Sequence, residues 1–159
     1  MSAGPPAATP IGLELTKVAR VVERAFDAAL ATAGGSRSTW LVLLTLKTRA
    51  VANQRELAAI VGIQGATLTH HLNAMESDGL LTRRRDPTNR RVHLVELTAE
   101  GEAAFHRLRG VAMAHDAQLR AGFDEADLDR LRSLLGRLRD NVGGDNVGAD
   151  AVEDVPSAS

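Results

Sequence analysis

The sequence predicts a mainly α-helical fold carrying one small β-hairpin, and three observations predict it. Aromatic residues make up only 3% of the 159 residues and Tyr is absent, so the core must be built from Leu, Val, Ala and Ile, a composition that suits packed helices. Apolar residues recur at three- and four-residue spacing along most of the chain. That period breaks once, between Leu80 and Leu97, where two short extended segments flank an Asp-Pro-Thr-Asn turn.

The elements follow in order. Ile11 to about Ala33 reads as a first helix, with Leu15, Val18, Val22, Ala25, Phe26 and Ala29 as its apolar stripe and Gly34-Gly35 as its stop. Ser36–Thr39 can cap a second helix over about Thr39–Lys47, largely buried through Trp40, Leu43, Leu44 and Leu46. Asn53 followed by Glu56 three residues on has the logic of a capping box and opens a short third helix, Gln54–Val61, with Leu57, Ala58 and Val61 facing inward. Gly62 breaks it. A fourth helix, about Gly65–Asp78, buries Leu68, Leu72 and Met75 and leaves Thr67, Thr69, His70, Asn73 and Glu76 away from that stripe. Leu80–Arg84 and Arg91–Leu97 pair as a two-stranded hairpin, joined by a turn in which Pro87 fixes φ and Asn89 tolerates a left-handed backbone. Thr98 caps a fifth helix to about Leu119. Asp124 caps a sixth, Glu125–Asn141, with Leu128, Leu131, Leu134, Leu135 and Leu138 on one face. The expected organisation is a disordered tail over 1–10, one unit over 11–142 and a disordered acidic tail over 143–159.

The formal net charge of −1 argues against a nucleic-acid partner until its distribution is examined. The segment 143–159 holds four acids and no base; without it 19 bases face 16 acids, a net of +3. Arg83, Arg84, Arg85, Arg90 and Arg91 fall within nine residues. Such a patch can hold phosphate whatever the total charge, because counterion release is local. Arg outnumbers Lys 17 to 2, which looks like a GC-rich bacterial coding bias. The absence of Cys excludes disulfides, thiolate zinc sites and thiol redox sensing. There is no apolar run of membrane-spanning length, and Met1–Pro10 has neither the basic nor the apolar region of a signal peptide, so a cytoplasmic protein is expected. No Gly-rich phosphate loop and no Ser-His-Asp pattern supports catalysis, and His106 and His115, nine residues apart, do not share one helix face as metal ligands would.

A short helix, a tight turn, a second helix and a basic hairpin make a winged helix-turn-helix, with its core at about 36–98. One α-helix fits the major groove, about 12 Å wide. The preceding helix braces it. An Arg-bearing hairpin alongside can enter the adjacent minor groove, whose negative potential attracts guanidinium groups.

The residues from Gln54 to Gly101 resemble the core of the MarR family of bacterial transcriptional regulators. The likeness is carried by Glu56-Leu57-Ala58, by Thr67-Leu68-Thr69 with Leu72, Met75-Glu76 and Gly79-Leu80-Leu81, and above all by Asp86-Pro87-Thr88-Asn89-Arg90-Arg91 followed by Leu97-Thr98-Ala99-Glu100-Gly101. Trp40 with Leu44, and Leu134–Leu138 with Asn141, extend it over about Leu13–Asn141. The resemblance implies a homodimer built from the N- and C-terminal helices, binding double-stranded DNA at a near-palindromic operator with half-sites roughly 34 Å apart. It implies a repressor released by a small aromatic acid or phenol seated between the dimerisation helices and the DNA-binding lobe. It places Arg91 at the minor-groove position of the wing. Two positions depart from the family pattern: Asn89 stands where an Asp often supports the wing Arg, with Asp86 as a candidate replacement, and His70 stands where the reading helix often has Arg. His is shorter than Arg and titrates near neutrality as a residue class, so a different base preference and a pH-dependent DNA affinity are expected.

The expected DNA contacts are therefore Gln54 and Arg55 at the start of the third helix, Gly65, Ala66, Thr67, Thr69, His70 and Asn73 on the fourth, and Arg83, Arg85, Arg90 and Arg91 on the hairpin. Trp40, Arg20, Arg24, Arg37 and His115 are candidates to border or anchor an effector. No catalytic residue, metal or cofactor is expected. The alternatives are a regulator controlled by abundance or by a protein partner, in which the acidic tail would act, and a winged-helix interaction module that binds no DNA.

Overall fold

In a computed structural model the described residues are 8–49 and 52–143; of the two expected tails, residues 1–7 and 144–159 lie outside them. Six helices and three strands follow in chain order: α1 (Ile11–Thr32), α2 (Arg37–Thr48), β1 (Ala52–Asn53), α3 (Gln54–Val61), α4 (Gly65–Ser77), β2 (Leu81–Arg85), β3 (His93–Leu97), α5 (Ala99–Arg120) and α6 (Glu125–Asn141).

Side-chain caps set four of the helix starts among the described residues. Ser36 Oγ accepts from the Thr39 amide at α2, Asn53 Oδ1 from Glu56 at α3, Thr98 Oγ1 from Gly101 at α5, and Asp124 Oδ1 from Asp127 at α6, all at 2.8–3.1 Å. Between α3 and α4 the chain turns at Gly62, whose φ of 70° lies in the left-handed region that a side chain disfavours.

The expected two-stranded hairpin is present as β2 and β3, and the sheet adds to it: β1 pairs antiparallel with β3 through Ala52↔Val95 and Asn53↔Leu94, giving the order β1-β3-β2. β2 and β3 pair in the register Leu81↔Leu97, Arg83↔Val95 and Arg85↔His93, with Thr82↔Glu96 and Arg84↔Leu94 between them. Because strand side chains alternate, the first set lies on one face of the hairpin and the second on the other. Leu81 and Val95 are fully buried, which identifies the first face as the one against the core.

The core is one cluster. Leu57 of α3, Leu68, Leu72 and Met75 of α4, and Leu81 and Val95 of the sheet meet Val42, Leu43 and Leu46 of α2 and Ala104, Phe105 and Leu108 of α5. Trp40 is buried, its ring stacked on Phe105 at 5.7 Å between centroids. Burying a leucine contributes about 1.5–3 kcal/mol relative to exposure, so the winged-helix unit holds together on its own side chains. The flanking helices do not. Of its side chains α1 buries only Leu30, and α6 only Leu128. The apolar stripes read from the sequence on these two helices exist, but the chain itself leaves Leu15 and Val18 of α1 and Leu131, Leu134 and Leu135 of α6 exposed. No helix among the described residues is long and apolar enough to cross a membrane.

Candidate nucleic-acid interface

The spacing of Leu68, Leu72 and Met75 rotates the rest of α4 outward. Gly65, Ala66, Thr67, His70 and Asn73 are exposed, and His71 is half-buried. No side chain caps the start of α4, so Thr67 is free of the capping role that would have competed with a groove-facing one. Thr69 is half-buried and works within the protein: its hydroxyl donates to the Gly65 carbonyl (2.9 Å) and accepts from Gln54 Nε2 (2.6 Å). That chain of bonds ties the start of α3 to the first turn of α4 and holds the two helices of the motif at a set angle.

The wing sorts its five arginines into two kinds. Arg83, on the core-side face, is clamped to α4: its guanidinium donates to Glu76 Oε2 (2.6 Å) and Asn73 Oδ1 (2.6 Å), and its amide donates to Glu76 Oε1. Arg84, on the opposite face, pairs with Glu96 of the neighbouring strand at 2.7 Å. Arg85, Arg90 and Arg91 are exposed, and among the described residues no carboxylate lies within 4 Å of them. Arg83 and Asn73 thus join wing to reading helix, and Arg85, Arg90 and Arg91 are the hairpin's unneutralised charges.

The wing turn is built by side chains that bond their own backbone. Asp86 accepts from both the amide and the hydroxyl of Thr88 at 2.7 Å, Asn89 Oδ1 accepts from the Arg91 amide at 3.2 Å, and the Asp86 amide donates to the Val92 carbonyl. Asp86 therefore shapes the loop and does not form the charged pair with a wing Arg that it was a candidate for. These bonds, first the Thr88 hydroxyl, hold its carboxyl below the usual aspartate value.

Residues 36–93, from the N-cap of α2 to the first residue of β3, match the model of the MarR family. The match spans α2, β1, α3, α4 and β2, the winged-helix part of the chain. Solved structures agree. The transcriptional repressor CouR bound to a 23-mer DNA duplex is 29% identical, with a TM-score of 0.73 over 81% of this chain and 92% of that one. A MarR-family transcriptional regulator from Rhodococcus sp. RHA1 is 26% identical, with a TM-score of 0.67 over 80% and 91%. A cysteine-to-serine mutant of MarR from E. coli, complexed with operator DNA, shares the fold at 22% identity, with a TM-score of 0.71 over 81% and 93%. Over about 80% of its length the chain is thus similar to structures of transcriptional regulators.

Within this fold the effector candidates separate. Trp40 serves the core. Arg37 is committed to α1, where it pairs with Asp27 (2.7 Å) and Glu23 (3.3 Å), and the Asp27 bond raises its pKa. Arg20 and Arg24 are exposed on α1. His115 stacks on Phe26 of α1 at 5.0 Å, with Nε2 buried and, among the described residues, without a hydrogen-bond partner. The sequence reading did not include His93, which the register places directly across from Arg85 on the core-side face of the wing; counting alternate residues out from Val95 is the signal that finds it.

The Arg83 clamp has a pH signature. Its side-chain hydrogen bond holds the Glu76 carboxyl below the usual glutamate value of 4.5. A carboxyl with a depressed folded pKa stabilises the fold above its unfolded value, and that contribution is lost as pH falls through the depressed value. Glu76→Gln is expected to flatten the dependence of unfolding free energy on pH below 4.5 and to leave a smaller difference in stability from wild type in acid than at pH 7. Parallel slopes for the two proteins would show that the clamp is not ionic.

Proposed function

We propose that the protein is a repressor that binds a near-palindromic operator as a homodimer and is released by a small aromatic acid or phenol. The observation that carries the DNA part is the shared exposure of the polar face of α4 and of three unpaired wing arginines, on elements locked together by Arg83. CouR, the 29% identical repressor bound to DNA, supports the direction of control.

The dimer reading rests on α6 and α1. Most of a helix's stability in a protein comes from packing its apolar face against a partner surface. α6 buries one side chain while exposing Leu131, Leu134 and Leu135, and Val142 just beyond its end is exposed as well. α1 exposes Ile11, Leu13, Leu15, Val18 and Val21, the last at 66%. Patches of this kind mark association surfaces, and a second copy presents the same two. The effector reading rests on the family and on the orphaned His115 nitrogen between α1 and α5, a donor or acceptor that a phenol or carboxylate can satisfy. A ligand there releases DNA by preferring a state in which the two reading helices are wrongly spaced, at about 1.4 kcal/mol for each tenfold difference in affinity.

Genomic fragments selected by the purified protein are expected to show footprints with two half-sites, centres roughly 34 Å apart and related by dyad symmetry. Aromatic acids added to those complexes are expected to release them. A single asymmetric half-site would refute the dimer reading, and indifference to every aromatic acid or phenol tried would leave control to abundance or to a protein partner.

A further inference from the structure

A cleft of about 550 Å³ lies between the wing and the start of α3, lined by Asn53, Gln54 and Arg55 on one side and by Asn89, Arg91, Val92 and His93 on the other. The topology makes it. β1 pins Asn53 against Leu94, so the first residues of α3 leave the sheet beside the end of β3 where His93, Val92 and Arg91 lead back into the wing loop. Two guanidinium groups and an imidazole thus reach one concave surface from elements nearly 40 residues apart in sequence. No carboxylate lines it, and among the described residues neither Arg55 nor Arg91 has an acid within 4 Å. Elsewhere the chain pairs arginines readily, at Arg37, Arg83, Arg84, Arg120 and Arg132. Like charges gathered without a counter-charge repel one another, and the cost is removed by an anion that all of them face. Guanidinium groups suit phosphate and carboxylate oxygens in particular, because their N–H fork matches the spacing of two oxygens.

We propose that this cleft is an oxyanion site, in which Arg55, Arg91 and His93 hold one phosphate or carboxylate group and Gln54 and Asn89 line its rim. The oxyanion has two sources: a backbone phosphate of bound DNA, or a free small anion. In part this deepens the DNA reading, because Arg91 is also the residue expected in the minor groove. A free oxyanion that engages Arg91 in the cleft withdraws it from DNA, so phosphate or a carboxylate should weaken DNA binding beyond what ionic strength alone does.

The test has two arms, both run on the full chain and on Arg55→Gln/His93→Gln, a variant at exposed positions whose thermal midpoint is expected to match wild type. In the first, inorganic phosphate is titrated against sodium chloride at matched ionic strength while the His93 ring and Arg55 Nε resonances are followed. Wild type is expected to show saturable shifts with phosphate only, and the variant none at the remaining lining residues. In the second, affinity for a duplex is measured across salt. The variant is expected to lose about 0.9 from the slope of log affinity against log salt for each phosphate contact removed, and to lose the extra inhibition by phosphate. Shifts with free phosphate and a reduced slope assign both sources; a reduced slope alone assigns the DNA backbone. A variant that keeps the wild-type slope, with no phosphate-specific shift in wild type, overturns the site. Wild-type protein that binds no duplex at low salt refutes the DNA reading alone, and the first arm then still decides the cleft.

Discussion

Gly101→Ala should be the most destabilising single-methyl change in the winged-helix region, at about 3 kcal/mol or more. A Cβ built on Gly101 would stand 1.9 Å from the Leu80 carbonyl oxygen and 3.2 Å from Leu97 Cδ2. The first of these is a backbone atom, so no rotamer change relieves the overlap. The Leu80 carbonyl cannot retreat freely, because it accepts from the Thr98 amide at 3.1 Å, while the Thr98 hydroxyl donates to the Gly79 carbonyl at 2.5 Å and accepts from the Gly101 amide at 3.0 Å. The Leu-Thr-x-x-Gly stretch is thereby explained as one junction: Thr98 both caps α5 and ties it to the end of α4, and Gly101 lets the first turn of α5 lie directly on the backbone where β2 begins. Thr98→Ala removes the cap and the tie without an overlap and should cost less, about 1–2 kcal/mol. Denaturant midpoints with unchanged m-values measure both. A Gly101→Ala protein within 0.5 kcal/mol of wild type, below the smallest usual penalty for overpacking, would show that the junction yields. The junction also couples function to stability. It joins the wing sheet to α5, one of the helices flanking the His115 site, so a loosened Gly101→Ala protein should bind DNA less well even under conditions where it remains folded.

The elements legible in the sequence are those whose signals are local. α3 and α6 carry their N-caps at Asn53 and Asp124, and both were placed with the bounds the structure shows. α4 shows its buried stripe at Leu68, Leu72 and Met75, and the structure adds only the correction of ending it at Ser77. α2 begins two residues earlier than read, at Arg37, because Ser36 and not a later residue of the capping stretch is the N-cap. What was not legible is what depends on partners far along the chain. β1 has two residues, too few for any period, and Asn53 shows openly only its second role as a helix cap; its strand partner, Leu94, is 41 positions away. The wing's charge run could be counted in the sequence, but its sorting could not. Only the register puts Arg83 beside Glu76 and Arg84 beside Glu96, leaving the next arginines unpaired. The same holds for the stripes of α1 and α6, whose period was visible while the identity of the surface that covers them was not.

That sorting makes the second large effect specific. Arg91→Ala is expected to lower operator affinity by tenfold or more, which is about 1.4 kcal/mol, and to reduce the salt slope by about one. Arg84→Ala, which removes the same charge from a site seven residues earlier on the wing, should change either quantity much less. The difference comes from position and pairing. Arg84 lies on the face of the hairpin turned away from α4 and is already neutralised by Glu96, whose carboxyl it holds below the usual glutamate value. Arg91 is exposed at the turn, its backbone set by the Asn89 side chain, with no carboxylate within 4 Å among the described residues. An unpaired guanidinium loses only its hydration on entering a narrow minor groove, whereas a paired one must also break its ion pair. Minor-groove contact reads groove width and A·T content and not base identity. Arg91→Ala should therefore flatten the preference for A·T-rich sequence beside each half-site and leave the preference at the bases facing α4 intact. Anisotropy titrations of both variants against the operator, with flanks exchanged between A·T-rich and G·C-rich sequence at two salt concentrations, measure these effects separately. If Arg91→Ala and Arg84→Ala weaken binding equally, the wing acts as a diffuse positive surface, and the turn built by Asp86, Thr88 and Asn89 does not aim a particular side chain at DNA.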